Sequence, residues 1–395
     1  MKQSLVRILS RALNAWYHAS LPGKRRKEAL FLSRQSDSMS VDFQLLSSEL
    51  ENHRGWNIVQ RTHMVEEGST GALKLVARMF GDAKALARCQ ICFVEGYNPA
   101  ISLLDLEGIH KSPSDFPEPW VVNSDFPTEP LVIQVWHAAG HFKKFGYEAL
   151  DTPEGRSSND ARIFRMHRNY SWIACSGEGA RAGFAEAFGC PVERVVALGH
   201  PSFDELYRDP EESLRKVYAV YPQLEHTTKP IIVFAPTLHR LRGDAVFEGL
   251  RTALESDPRS NAYELVWSFH PVTLQGTDIR VTTRDLLRCA SLVVTDYSSV
   301  VYDAALLDLP FAFYTPDIDE YRESPGLATD PSVLAPGLCL YSTDEMLDFL
   351  EHMFARGSTV EEYLVSERNA FIGTTLSACG PGSATRIVDF AFAQL

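Results

Sequence analysis

The sequence predicts an α/β protein of two domains, each built on a parallel sheet with helices on both faces. Three observations carry this. At 395 residues the chain exceeds what one ordinary core encloses. Apolar, β-branched runs of strand length alternate with helix-length amphipathic patterns, the signature of βαβ units. That alternation occurs twice, on either side of a turn-rich segment, Gly199-His200-Pro201-Ser202-Phe203-Asp204, and a polar connection over 207–229.

In the first series, strands are expected at Ala29–Ser33, Trp56–Gln60, Gln90–Val94, Leu131–Trp136, Trp172–Cys175 and Val195–Leu198. Helices are expected at Asp42–Glu51, Thr70–Leu86 and Ala180–Phe188, the second turning Leu73, Leu75, Val76 and Met79 inward. Residues 107–129, rich in Pro, Ser and Asp, are expected to form a surface loop. The second series offers strands at Pro230–Phe234, Glu264–Ser268, Ser291–Thr295 and Phe311–Tyr314. Its helices are Val300–Leu307, Ser342–Arg356 and Thr359–Phe371, and a last helix covers 384–394.

Residues 2–19 form an amphipathic helix with Leu5, Ile8, Leu9, Ala12, Leu13 and Trp16 on one face, and Arg7, Arg11, Asn14 and His18 on the other. Seven basic and no acidic residues fall within 1–27, leaving a charge of −20 on the remainder of a chain whose net charge is −13. That segment suits either an interfacial helix on an anionic membrane or an ordinary helix packed on the first domain. The acidic balance elsewhere argues against a general nucleic-acid binder. The 45% apolar and 23% charged content is that of a globular protein. No apolar run approaches the roughly 20 residues that span a bilayer, and no signal-peptide pattern is visible. Seven scattered cysteines fit reduced thiols; Cys89 and Cys92 are expected to be core thiols rather than half of a metal site.

Parallel sheets bind ligands at the carboxyl ends of their strands, so the residues there are the candidates. His137, with Gly140, Lys143 and Lys144 close behind, follows the Leu131 strand; a histidine beside lysines suits proton transfer near phosphates, or a structural histidine beside solvated lysines. Thr237, ahead of His239, Arg240 and Arg242, offers a hydroxyl and an N–H. His270 is held extended by Pro271. Asp296-Tyr297-Ser298-Ser299 lies between a buried strand and a helix, where Ser298 and Ser299 hold a phosphate or Asp296 and Ser298 merely cap the helix. The chain has no Walker A loop, no H-E-x-x-H cluster and no G-x-S-x-G elbow. His137, His239 and His270 fall on different loops, which argues against a shared metal.

Several segments together resemble the CDP-glycerol glycerophosphotransferases of teichoic-acid synthesis: IQVWHAAGHFKKFG (133–146), LGHPSFDEL (198–206), FAPT (234–237), FHP (269–271), VVTDYSSVVYDAALLDLPFAFYTPDIDEYRESPG (293–326) and GSATRIVDF (382–390). The resemblance covers about 130–390 and is weak over the first 120 residues; the W-H-A-A-G form and the chain length are more similar to the primases than to the long polymerases. It implies a GT-B-type fold, two Rossmann-like domains facing across a cleft. The implied domains are a basic membrane-contact segment (1–28), an acceptor domain (29–205), a nucleotide-donor domain (206–380) and a C-terminal helix (381–395). It implies transfer of glycerol phosphate from CDP-glycerol to a polyprenyl-linked acceptor, with CMP leaving, by a cytoplasmic enzyme peripheral to the inner face of the membrane.

By that resemblance His137 is the general base. His270, Thr237, Ser298 and Ser299 hold the diphosphate. Asp296 and Asp303 contact donor hydroxyls or orient His270, and Arg322 pairs with a phosphate or with Glu323. Gly140, Lys143 and Lys144 face the acceptor. No cofactor is firmly implied and metal dependence is open. Ala138-Ala139 departs from the family's usual Gly-Thr pair, which bears on acceptor identity. A GT-B glycosyltransferase or epimerase using a UDP-sugar, a CDP-ribitol-using relative, and a non-catalytic membrane scaffold are the alternatives.

Overall fold

The computed structural model describes residues 2–52, 55–64, 68–106, 129–153, 155–237, 245–269, 272–273, 275, 277–355 and 362–395. The chain divides into two compact units, Met1–Glu205 with Thr374–Leu395, and Leu206–Gly373. The last segment therefore returns to the first unit from residue 374 onward, rather than forming a separate element after a second domain that ends at 380.

The first unit carries a six-stranded sheet: β1 (Glu28–Ser33), β2 (Asn57–Thr62), β3 (Ile91–Glu95), β4 (Leu131–Gln134), β5 (Trp172–Cys175) and β6 (Val195–Ala197). Its order is β2-β1-β3-β4-β5-β6, and every pairing is parallel. β3, β4 and, from Ala29 onward, β1 are buried on both faces, which is why they read as continuous apolar runs, whereas β2 at the sheet's edge is partly exposed. Leu30, Leu32, Cys92, Val94, Val132 and Ile173 meet α1 (Lys2–Ala19) and α3 (Gly68–Arg88) on one side. Phe31, Ile91, Phe93, Ile133 and Ala174 meet α2 (Val41–Glu51) and the helix Ser383–Ala393 on the other. Cys89 and Cys92 are buried free thiols in this core.

The face of α3 differs from expectation, and the expected apolar face of α1 is split between core and solvent. α1 turns Val6, Ser10, Leu13 and Tyr17 inward, and leaves Leu5 and Ile8 about three-fifths exposed, at 61% and 63%, with Trp16 at 43%. α3 buries Met79, Ala83, Leu86 and Ala87, while Leu73 stands out in solvent. Both helices have apolar residues on more than one face, and tertiary packing selects the face that covers the sheet.

The second unit has strands β7 (Ile231–Phe234), β8 (Glu264–Trp267), β11 (Leu292–Thr295), β12 (Phe311–Tyr314) and β13 (Cys339–Leu340), with a short antiparallel ribbon of β9 (Val272–Thr273) and β10 (Arg280–Val281). The main sheet is parallel in the order β13-β12-β11-β7-β8. The expected loop at 107–129 lies outside the described residues except for Glu129, and so do His239, Arg240, Arg242 and His270.

Candidate active site

In both sheets the first strand is flanked by its successor on one side and by a later strand on the other. The chain thus changes direction across the sheet between β1 and β3, and between β7 and β11. Such switch points open a crevice at the strands' carboxyl ends. Register brings the first one level, because Ser33 lies beside both Thr62 and Glu95.

His137 stands at the end of β4, positioned by a strained turn. Trp136 adopts a left-handed φ of 47°, a conformation costly for a bulky residue and commonest at functional sites. Its N–H donates to Gln134 Oε1 at 3.0 Å, and its ring stacks on Phe145 with centroids 4.6 Å apart. The His137 ring lies 4.2 Å from the Trp136 ring. The His137 side chain is exposed to solvent at the turn. Crowding by surrounding protein nonetheless disfavours its charged form; His200 adds to this and Asp42 opposes it, and the pKa falls to about 4.

Three side chains around it were not singled out by sequence. His200, after β6, sets Nδ1 3.1 Å from Asp42 Oδ1 and 3.0 Å from Ser202 Oγ. The Ser202 N–H donates to the same carboxylate oxygen at 2.8 Å. His200 Nε2 is buried without a partner. Glu95 closes the group from the end of β3; burial, then the charge of Asp42, raises its pKa, so its carboxyl leans toward the protonated form. Asp42 and His200 are 158 positions apart; His200 falls in the LGHPSFDEL segment that carries the resemblance, and Asp42 has no signal beyond its place at a helix start.

Gly140, at φ 68°, donates its N–H to Ser176 Oγ at 3.2 Å. Lys144 is exposed and Lys143 half-buried, both on the segment after His137.

At the second switch point a direct contact joins the loops that follow β7 and β11. Thr237 donates both its N–H and its hydroxyl to Asp296 Oδ1, at 2.8 and 2.7 Å. The donors expected to meet a phosphate are thus committed to Asp296, which is buried. Tyr297 turns inward, donates to Asp317 Oδ1 at 2.9 Å and stacks on Tyr321 at 3.7 Å. That anchorage leaves Ser298 and Ser299 half-exposed at the start of the helix Val300–Leu306. The Ser299 side chain makes no capping bond there, while Ser298 Oγ accepts from the Val300 N–H at 3.4 Å.

Two other expected residues are tied up elsewhere. Asp303 is buried and accepts from Arg284 Nε at 2.5 Å. Arg322 binds Asp319, Asp330 and Ser332, three surface neighbours, and does not pair with Glu323. Among the described residues no group of three or more His, Cys, Asp or Glu side chains could hold a metal ion.

Residues 14–392 match the family model described as CDP-Glycerol:Poly(glycerophosphate) glycerophosphotransferase. Among curated proteins, the teichoic acid ribitol-phosphate primase of Bacillus spizizenii is 29% identical over 344 residues, covering 81% of this chain and 82% of that protein. The teichoic acid glycerol-phosphate primase of the same organism is 31% identical over 250 residues, covering 58% of this chain and 62% of that protein. The chain spans 42% of the Bacillus spizizenii poly(ribitol-phosphate) polymerase. Among solved structures, a variant of the wall teichoic acid polymerase TagF soaked with CDPG aligns with a TM-score of 0.65 at 15% identity, covering 99% of this chain and 96% of that one. The Staphylococcus aureus MnaA–UDP structure aligns at 0.52 and 9% identity, covering 94% and 98%. At those identities the likeness is one of fold.

Proposed function

Because the chain belongs to the CDP-glycerol:poly(glycerophosphate) glycerophosphotransferase family, we propose that it transfers glycerol phosphate from CDP-glycerol to a hydroxyl of a polyprenyl-diphosphate-linked glycan. CMP is released. The observation that carries the reading is His137, neutral at physiological pH and held by the strained Trp136 turn at a strand's carboxyl end.

In this mechanism His137 takes the proton from the acceptor hydroxyl as its oxygen attacks the glycerol-bearing phosphorus. The new P–O bond forms as the bond to the CMP oxygen breaks, and the negative charge moves onto CMP. Ser298 and Ser299, with the N–H groups of the turn they begin, donate to that growing charge. His270 serves the same diphosphate. The Asp42–His200 pair, with its free Nε2, orients the acceptor side of His137. Lys143, Lys144 and Gly140 line the acceptor's approach.

The membrane supplies the acceptor, and the outer face of α1 supplies the contact with it. Leu5, Ile8 and Trp16 are exposed there beside Lys2, Arg7 and Arg11, the composition of a helix lying in an anionic interface. Among the described residues no helix is long and apolar enough to cross the membrane; in this reading α1 lies on the cytoplasmic face.

One observation favours a second donor. The ribitol-phosphate primase is the relative of which this chain covers 82%, so CDP-ribitol is tested beside CDP-glycerol. The experiment is CMP release from each donor with a lipid-linked disaccharide acceptor, for wild type and His137→Ala. Release from CDP-glycerol that falls about a hundredfold in the variant is expected. Turnover of CDP-ribitol alone transfers the reading to that donor, and turnover of neither overturns it.

A further inference from the structure

The switch point of the first sheet holds a second set of groups that the reaction above does not use. Arg34 follows β1, and its Nη1 donates to the Tyr97 carbonyl at 3.3 Å, across the gap between the ends of β1 and β3. Its Nε is buried and has no hydrogen-bond partner. Arg156 lies over the face of the Tyr97 ring, 4.8 Å from its centroid. Neither guanidinium has a carboxylate partner among the described residues. Asp82, a carboxylate whose charge Arg34 feels, is bound to Arg61 Nε at 2.6 Å. His63, whose N–H donates to Ser33 O at 3.1 Å, also keeps a buried Nε2 unpartnered.

The floor beneath them is rigid. Gly96, at φ 76°, exchanges hydrogen bonds with the Gln134 side chain, donating at 3.1 Å and accepting at 3.0 Å. The Tyr97 hydroxyl donates to Phe164 O at 3.2 Å. A partly buried guanidinium without an anion is costly, a second cation beside it adds to the cost, and a ligand anion between the two offsets both. The proximity of Arg156 and the burial of Arg34 both depress the Arg34 pKa, burial the more, as expected for a cation waiting for a counter-charge.

We propose that Arg34 and Arg156, at the β1/β3 switch point, bind a diphosphate, and that in the reaction it is the diphosphate joining the acceptor glycan to its lipid. The second half rests on the acceptor reading given above. The site lies on the same carboxyl edge as His137, so one end of the acceptor is clamped by charge while its hydroxyl meets the base. Two arginines give forked, charge-assisted contacts to phosphate oxygens, which lysines would not.

The test pairs calorimetric titration of inorganic pyrophosphate, without nucleotide, with initial rates on two acceptors. One carries the disaccharide on a lipid diphosphate and the other carries it on an uncharged tether. Arg34→Gln and Arg156→Gln are each expected to weaken pyrophosphate binding about tenfold or more and to raise KM for the diphosphate acceptor by a similar factor. KM for CDP-glycerol and for the uncharged acceptor stays as in wild type. Arg156 is exposed, so its variant folds even if Arg34→Gln does not. Unchanged pyrophosphate binding in Arg156→Gln and in a folded Arg34→Gln overturns the proposal. Weakened pyrophosphate binding with an unchanged acceptor KM overturns the acceptor assignment and identifies a free-anion site. Loss of pyrophosphate binding in the variants of a protein that turns over no CDP-alditol supports the anion site while the functional reading falls.

Discussion

The depressed pKa of His137 makes a quantitative claim about activity at mildly acid pH. A base with a pKa of about 4 is about 97% neutral at pH 5.5, whereas one at the ordinary histidine value of about 6.5 is about 9% neutral there. The sign follows from which form works: the neutral ring accepts the proton, so activity is present above the pKa and lost as pH falls through it. The acid limb of kcat/KM is therefore expected near pH 4, with nearly full activity at pH 5.5 relative to 7.5. The assay is initial CMP release between pH 4 and 8 at constant ionic strength, with saturating donor. Two other histidines could contribute a limb of their own, so His200→Gln and His270→Gln are run alongside. An acid limb centred near 6.5 that persists in both variants would refute the argument, because His137 would then titrate as if freely solvated.

Three further outcomes follow from packing and charge. The Asp204 carboxylate accepts the N–H groups of Ser383 and Ala384 at 2.9 and 3.0 Å, so Asp204→Ala removes the cap of that helix and should cost about 2 kcal/mol in urea unfolding. Gly183 faces His141, where an added Cβ would fall 1.9 Å from Nδ1 of a ring held to Glu148 at 2.7 Å. Gly183→Ala should lower Tm, with a loss of about 1–3 kcal/mol, and Glu148→Ala should relieve part of the clash. Leu5→Ser with Ile8→Ser changes two exposed side chains; thermal melting should hold while co-sedimentation with anionic vesicles falls about tenfold or more.

The inner strands of the sheets were legible because they are doubly buried. Leu30-Phe31-Leu32, Ile91–Val94 and Leu292–Thr295 admit no polar face, so the runs announce themselves. The inward side of α1 was not legible, because Val6, Leu13 and Tyr17 compete with Leu5, Ile8 and Trp16 for the core, and only contact with α3 decides. His137 was accessible as a histidine at the end of an apolar strand. Its neighbours Asp42, Glu95 and His200 were not, since strand order and not sequence distance brings those three loops together. Thr237 and Asp296 illustrate the converse: the one reads as a phosphate contact and the other as a contact to donor hydroxyls or to His270, and they bond to one another once β7 and β11 are adjacent.

The return of Thr374–Leu395 to the first unit has a consequence for synthesis on the ribosome. Phe31, Phe93 and Ile133 pack beneath Ile387, Val388 and Ala391. The last strand of that sheet ends at Ala197, and the covering helix begins at Ser383. At about 5–20 residues per second, the part of this sheet face that α2 does not cover stays bare for roughly 10–40 s while the whole second unit is translated in between. Through that interval the first unit has all six of its strands but lacks the helix that completes its cover. The order of completion is thus the reverse of the order of emergence, and the early half is the one that needs a chaperone's shelter.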